Sequence, residues 1–512
     1  RRYRYPFINC TQCGPRYTLI ARLPYDRANT SMADFPLCAA CRAEYDNPLD
    51  RRFHAEPVAC AVCGPHLWYE AEDARIDGND AALQACVEAL RAGRIVAVKG
   101  IGGYHLLCDG TNDAAVARLR ARKHRPHKPL AVMFPWVGED GLAMAREHLA
   151  MDAATEAVLR SPERPVVLAA RLPGSALSPG IAPGLNEIGA MLPYSPLHHL
   201  LLESCARPLV ATSANISDEP VLTREEEAAR RLGLVADAFL HHDRGIVRPA
   251  DDSVLRVIAG RARPLRIGRG LAPVERELPF ELPCELSVPT LAVGGHMKNA
   301  IALAWGRRVV LSPHIGDLDS PRGMAVFTQL IADLQQLYGV RAVRMACDAH
   351  PDYASSRWAR NSGLPLVTVQ HHHAHASALA GEFPQVKRWL VFAWDGVGRG
   401  DDGTLWGGEA LLGAAGAWRR VASFRPFRLP GGTRAGREPW RSAAALCWEA
   451  GLDWTRGAED MALVRTAWSG GINAPATCAV GRLFDGAAAL LGVVERASFE
   501  GQGPMYLEAL AS

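Results

Sequence analysis

The residues in this chain best suited to chemistry are cysteines and histidines, and their spacing says what each group could do. Cys38-Ala39-Ala40-Cys41 and Cys60-Ala61-Val62-Cys63 are two CxxC knuckles separated by eighteen residues. Each knuckle holds two sulfurs about one turn apart, and two pairs complete the tetrahedron that zinc prefers. Cys10 and Cys13 form a third knuckle. Arg1-Arg2-Tyr3, Cys10, Cys13, Gly14 and Pro15 recur at a constant offset as Arg51-Arg52-Phe53, Cys60, Cys63, Gly64 and Pro65. That repeat predicts two fingers, with the first knuckle of the earlier one lying ahead of Arg1. His54 reads as a solvent-facing loop histidine.

The second group is His371-His372-His373-Ala374-His375. On a helix, His371 and His375 are spaced i, i+4 and share one face, where both imidazoles can grip one ion; His372 and His373 are expected to point elsewhere. Asp395, after an apolar strand from Trp389 to Trp394, could add an oxygen. The expected ligands are therefore His371, His375 and Asp395, with Fe(II), Zn or Mn all compatible with nitrogen and oxygen donors.

The third group consists of cations and small polar residues at strand ends. The strand Ile95 to Val98 runs into Lys99-Gly100-Ile101-Gly102-Gly103, where free backbone NH groups and a lysine suit a phosphate. Lys123, Arg125 and Lys128 lie in a loop stiffened by Pro126 and Pro129, just before the strand Ala131 to Phe134. Thr212-Ser213-Ala214-Asn215 follows the strand Pro208 to Ala211 and offers hydroxyl and amide groups. Together these predict a polyanion or nucleotide site.

Positioning these groups takes more than one domain. At 512 residues the chain exceeds what one core usually supports. A net charge of +3 is too small to argue for a nucleic-acid or membrane partner. No apolar run suggests a membrane span or signal peptide, which predicts a cytoplasmic protein. The boundaries read as a zinc module over 1–70, a mixed α/β domain over 71–275 that opens with a polar stretch and a helix ending at Gly93, and a third domain over 276–512. In the third, Gly294-Gly295-His296-Met297-Lys298-Asn299 and Asp395-Gly396-Val397-Gly398 read as glycine-rich tips of two β-hairpins that could embrace phosphates, which resembles the actin-like ATPases, where one such loop serves each half of the nucleotide cleft.

The elements Lys99 to Gly103, Lys123 to Leu130 and Ser213-Ala214-Asn215, extended by Asp251-Asp252-Ser253-Val254 and by Arg266 to Gly270, resemble the YrdC family, whose members join a carbamate-type group to AMP. The histidine pair and the DGxG segment resemble the actin-like (ASKHA) transferase family that includes TsaD. That resemblance implies metal ligation by His371, His375 and Asp395. It also implies nucleotide contacts from Gly294, Gly295, Lys298, Asp395, Gly396, Gly398, Gly470, Gly471, Gly481 and Asp485, the last toward the ribose or adenine; Gly102, Gly103 and Arg269 are expected to serve the first nucleotide. Glu438-Pro439-Trp440-Arg441 also looks like a family motif, without an assigned role.

The order of zinc module, YrdC-like domain and TsaD-like domain resembles the HypF family of hydrogenase-maturation carbamoyltransferases. The resemblance implies that an acylphosphatase-like domain precedes Arg1 and that a further metal-binding aspartate follows Ser512. It implies that carbamoyl phosphate and ATP are converted through carbamoyl adenylate, with Mg2+ accompanying ATP, to a carbamoylated C-terminal cysteine on HypE. In that scheme Lys99, Lys123, Arg125 and Lys128 neutralise phosphate charge while Ser213 and Asn215 orient the reactants. The alternatives are an O-carbamoyltransferase of small-molecule biosynthesis, against which the zinc module argues, and a zinc-dependent RNA-binding scaffold, against which the near-neutral charge argues.

Overall fold

A computed structural model describes residues 2–9, 17–72, 74–215, 219–278, 286–456 and 460–511. Cys10, Cys13, Gly14 and Pro15 lie outside them. The chain divides into two compact units: one of residues 1–274, 297–301 and 310–341, the other of residues 275–296, 302–309 and 342–512.

In the first unit a short helix, Ala39–Asp46, begins directly after Cys38 and so carries Cys41. A twelve-stranded mixed sheet follows. Its strands are β1 (Leu67–Ala71), β2 (Ala74–Asp77), β3 (Val96–Lys99), β4 (Tyr104–Asp109), β5 (Ala131–Met133), β6 (Leu149–Ala150), β7 (Val166–Arg171), β8 (Glu187–Met191), β9 (Leu209–Ser213), β10 (Ala238–His242), β11 (Val254–Ile258) and β12 (Arg261–Arg266). The order across the sheet is β12-β11-β7-β8-β5-β9-β4-β3-β10-β1-β2, with β6 beside β7. The polar stretch after Ala71 is the β1–β2 hairpin and its turn into the helix Asn79–Arg91. That helix ends as its sequence predicts, with Gly93 at a left-handed φ of 76°.

Both faces of the sheet are covered. Along β3 and its lead-in, Ile95 and Ala97 join one buried layer with Leu106, Val116 and Phe134, while Val96 and Val98 join the other with Leu83, Val87 and Leu201. Successive strand residues face opposite sides, so an uninterrupted apolar run is what a doubly covered strand requires. Tyr5, Phe7, Met32 and Ala59 of the cysteine-rich segment belong to the second layer, which ties that segment to the sheet.

Further along, β13 (Val274–Glu277), β14 (Leu286–Ala292), β15 (Ala302–Gly306), β16 (Arg308–Leu311), β17 (Arg344–Asp348) and β18 (Leu366–Val369) form a six-stranded sheet in the order β13-β16-β15-β14-β17-β18. The next sheet has β19 (Trp389–Arg399), β20 (Leu405–Ala414), β21 (Ala417–Ser423), β22 (Phe427–Arg428) and β23 (Ala476–Thr477). The helix His371–Glu382 starts immediately after β18. No helix among the described residues is long and apolar enough to cross a membrane.

The Asp395–Gly398 segment corrects one expectation. It is a break within the long strand β19, where the register jumps from Trp394 opposite Gly408 to Gly398 opposite Trp406; the reversal of the chain comes later, at Gly400–Thr404. Glycine permits the break. A Cβ at Gly398 would lie 2.6 Å from His372 Cε1, and one at Gly481 would lie 2.7 Å from the Gly396 Cα.

Candidate metal centres and an anion-binding strand end

Four cysteines meet as their spacing predicts. The ligand atoms of Cys38, Cys41, Cys60 and Cys63 all lie within 4.8 Å of one another. Sγ of Cys60 is 3.9 Å from that of Cys38 and 3.8 Å from that of Cys63. Four sulfurs about 2.3 Å from one zinc, at tetrahedral angles, would be about 3.8 Å apart, so the cluster fits the ion. Cys41 and Cys60 are buried, and Arg2 places a guanidinium nitrogen 3.1 Å from Cys41 Sγ, where it can donate to a thiolate. The backbone NH of Cys41 leads the causes that lower the Cys38 thiol to about 7. His54 remains outside the cluster, exposed, with its ring against Tyr45 and Phe53.

The second cluster is built by topology. Parallel pairing of β17 with β18 sets Asp348 opposite Val369, so its carboxylate lies beside the start of the next helix. Gln370 caps that helix by accepting a hydrogen bond from His373 N (2.8 Å), which fixes the rotation of the histidines that follow. His371 Nδ1 lies 2.7 Å from Asp348 Oδ2. With its Nδ1 proton given to Asp348, His371 presents the Nε2 lone pair to His375 Nε2 and Asp395 Oδ2, each 3.3 Å away. His371, His375 and Asp395 therefore converge with ligand atoms within 4.8 Å of one another.

These electron-rich atoms call for a positive charge. Burial opposes the His371 imidazolium, but the carboxylates of Asp348 and Asp395 override it and lift the group to about 9. Burial and the neighbouring His371 push His375 down instead. Asp395 is held well below the usual carboxylate range: burial works against ionisation, and His371 and His372 outweigh it. Asp395 Oδ2 and His372 Nε2 are both buried without a well-formed hydrogen bond among the described residues. Orphaned polar atoms facing two imidazoles fit a divalent cation.

His372 departs from expectation. It is fully buried, and its Nε2 points to Asp395 Oδ2 at 3.5 Å, because the strand break at Gly398 lets the ring pass underneath. His373 is not among the converging ligand residues. Asp348 went unrecognised because nothing near it in sequence pairs it with a histidine; its position at a strand end before Ala349-His350-Pro351 was the available signal.

In the first unit, Lys123, Ser213 and Asn215 come together. Lys123 Nζ donates to the Ser213 and Asn215 carbonyls and, at 2.9 Å, to Asn215 Oδ1, which also accepts from Ser213 Oγ at 3.0 Å. Arg125 reaches Thr212 Oγ1 at 3.4 Å. A buried arginine that spacing did not reveal, Arg120, organises the basic loop by donating to the carbonyls of Arg125, Pro126 and Lys128. The Lys128 side chain is exposed.

The other expected residues are placed differently. Lys99 is 1% exposed; its ammonium pairs with Glu225 and donates to the carbonyls of His242 and Arg244, both at 3.0 Å. Burial lowers its pKa, and Glu225 works the other way. Gly102 and Gly103 are buried against Ala250 and Val221: a Cβ at Gly102 would meet the Ala250 carbonyl at 2.6 Å, and one at Gly103 would meet Val221 at 2.5 Å. In this structure they serve close packing. Arg269 bonds Asp252 at 2.7 Å and stacks on Tyr194, while Asp252 also holds His105 at 2.9 Å.

In the second unit, Gly294 and Gly295 offer their carbonyls to Ser355 Oγ. Lys298, which belongs to the first unit, is exposed at a φ of 48° and gives its backbone NH to Asp317 of the same unit. Gly470 and Gly471 end the helix Met461–Ser469. Gly481 packs on Gly396, and Asp485 is buried 2.8 Å from Arg482, with burial raising its carboxyl to about 6. Glu438 pairs with Arg441 and Arg434 beside buried Trp440.

Family models match nearly the whole chain. The "HypF finger" covers residues 1–20 and 37–70, and the Sua5/YciO/YrdC model, described as "telomere recombination", covers 88–268. The "HypF Kae1-like domain" covers 285–382, and "Carbamoyltransferase, Kae1-like Domain, second subdomain" covers 391–512. Carbamoyltransferase HypF of Rhodobacter capsulatus is 46% identical, spanning 100% of this chain and 69% of that protein. The Synechocystis sp. protein of the same name is 43% identical over 99% and 68%. A probable carbamoyltransferase HypF of Methanocaldococcus jannaschii is 34% identical over 100% and 67%.

Two crystal structures superpose with TM-scores of 0.92. One is full-length HypF in the phosphate- and nucleotide-bound form, 39% identical and covered over 66% of its length; the other is T. kodakarensis HypF, 36% identical and covered over 69%. Both matches span 100% of this chain, which thus spans about two thirds of the length of such relatives. With a four-cysteine zinc finger, a YrdC-like region and a Kae1-like region in this order, the chain belongs to the HypF family of carbamoyltransferases.

Proposed function

We propose that this chain activates a carbamoyl group as carbamoyl adenylate and transfers it to the C-terminal cysteine thiolate of HypE, supplying the cyanide ligand of [NiFe]-hydrogenase. The observation that carries the reading is the convergence of His371, His375 and Asp395, with Asp348 orienting His371. In this reading residues 1–70 are the finger module, 71–275 form the adenylate and 276–512 transfer it. No disulfide joins the described cysteines, which suits the cytoplasm.

Carbamate derived from carbamoyl phosphate attacks the α-phosphate of ATP, forming the mixed anhydride and releasing pyrophosphate. Lys123 and Arg125 would offset charge on the phosphates, and Ser213 and Asn215 would orient the carbamate. Lys99 would join them only by exchanging Glu225 for substrate. At the second site Asp348 keeps His371 in the tautomer whose Nε2 lone pair faces Asp395. A divalent ion bound by His371, His375 and Asp395, whether Fe, Zn or Mn, would supply Lewis acidity that favours departure of AMP. Shielding from water matters at both steps, because carbamate and its adenylate are lost by hydrolysis.

The test incubates the protein with ATP and carbamoyl phosphate, with and without HypE. AMP release that requires carbamoyl phosphate, together with a carbamoylated terminal peptide of HypE by mass spectrometry, supports the reading. AMP release without carbamoyl phosphate, or an unmodified peptide despite AMP release, overturns it.

A further inference from the structure

Beside the histidine and aspartate cluster stands a ring stack that the scheme above does not use. His350 lies flat on Tyr353, with centroids 4.2 Å apart and planes 5° apart, and His296 stacks on Tyr353 at 5.6 Å and 19°. Asp348, the carboxylate that orients His371, also accepts the backbone NH of His350 at 2.8 Å. One carboxylate therefore fixes both the ligand His371 and the segment carrying His350. Burial, reinforced by the charges of Asp348 and Asp395, pushes the Tyr353 hydroxyl up to about 12.

The tautomer of His350 follows from its contacts. Its Nδ1 accepts the backbone NH of Asp352 at 3.2 Å, so in the neutral ring the proton sits on Nε2. Among the described residues no group takes that Nε2–H, and the side chain is only partly buried. A donor clamped between a flat aromatic ring and a fixed backbone NH has lost its freedom beforehand. Such a group is suited to bind a ligand oxygen rather than to stabilise the fold.

We propose that His350 Nε2–H is a positioning donor to an oxygen, phosphoryl or carbonyl, of the acyl adenylate anhydride bound at the His371, His375 and Asp395 site. This rests on the reading of that site as the place of carbamoyl transfer. No covalent step is assigned to His350. Its hydrogen bond would hold the reacting anhydride in place and strengthen as charge gathers on the oxygen.

Two substitutions separate this role from simple packing. His350→Phe keeps a flat ring on Tyr353 and removes the donor; His350→Gln loses the ring and can return an NH2 near the Nε2 position. The measurements are AMP affinity by calorimetry on the whole purified chain, and carbamoylation of a peptide ending in cysteine by mass spectrometry. Thermal melting and metal content are checked alongside. The proposal predicts that His350→Phe weakens AMP binding about 10-fold and slows transfer about 10- to 100-fold, while His350→Gln recovers part of both. Pyrophosphate release by the adenylate-forming step should stay at the wild-type level in each variant.

Wild-type behaviour in His350→Phe, or its retention in Phe with loss in Gln, overturns the proposal and leaves only a packing role. If the wild-type chain itself transfers no carbamoyl group, the reading of the site fails instead; if it transfers and the Phe variant matches it, only the present inference fails.

Discussion

Among the described residues two constellations fit a metal, and they are built on opposite plans. The four cysteines form a closed set, two of them fully buried, with sulfur separations matching a filled tetrahedron. The histidine and aspartate set offers three ligands, one of them, His375, on an exposed residue, and is braced from behind by Asp348. A closed thiolate cage spends the ion on folding, whereas three nitrogen and oxygen ligands leave coordination positions for a substrate. The difference teaches that ligand count and burial separate scaffold from reaction centre without knowledge of the reaction.

The largest expected effect would come from breaking the closed site. Cys60→Ser should cost the finger its zinc and several kcal/mol of local stability, given the roughly 10 kcal/mol linked to zinc in isolated fingers. Limited proteolysis should then cut within residues 17–66, while the His371 site keeps its ion; protection equal to wild type would contradict a structural role.

Next, His371→Ala should lower carbamoyl transfer about 1000-fold or more, with little change in melting temperature, because the lost ligand is only partly buried. A melting temperature that collapses with activity would mean that the open site is structural too.

Asp348→Asn tests the brace. Asparagine keeps the shape and loses the charge, so divalent-ion affinity at the second site should fall about 10- to 100-fold, with the finger's zinc unchanged. Unaltered affinity would remove Asp348 from the site.

Acid should produce the smallest effect, and should act on the first unit. Burial holds His198 and His242 well below their ordinary pKa, so the folded state stays neutral while the unfolded chain takes up protons below about 6.5. Stability should therefore be intact above that pH and decline as pH falls, by at most about 2 kcal/mol per histidine at pH 5. Denaturant midpoints at pH 7.5 and 5.5 give the sign; a midpoint that rises on acidification would contradict it.

Legibility in the sequence followed the range of the interaction. The four-cysteine set was readable because each knuckle is closed by neighbours in sequence, and so was the pairing of His371 with His375 on one helix face. The α/β strand pattern was readable because alternate residues of β3 and its lead-in feed two buried layers. Asp348 and Arg120 were not, since the first acts through parallel pairing of β17 with β18 and the second through carbonyls that a folded loop brings to it. His372 was misplaced because helix geometry alone does not show that a glycine break in β19 opens room beneath it. Lys99 and Gly102 carried the expected residue types, but their surroundings, Glu225 and Ala250, come from distant segments.

The most direct test of the account is a metal count on the purified chain after stripping and reloading with zinc and manganese. The account predicts a zinc bound through cysteine thiolates and a second divalent ion bound through nitrogen and oxygen ligands. The second should vanish in the His371→Ala, His375→Ala double variant while the zinc remains. Retention of both ions in that variant, or a wild-type chain that binds none outside its cysteines, would contradict it.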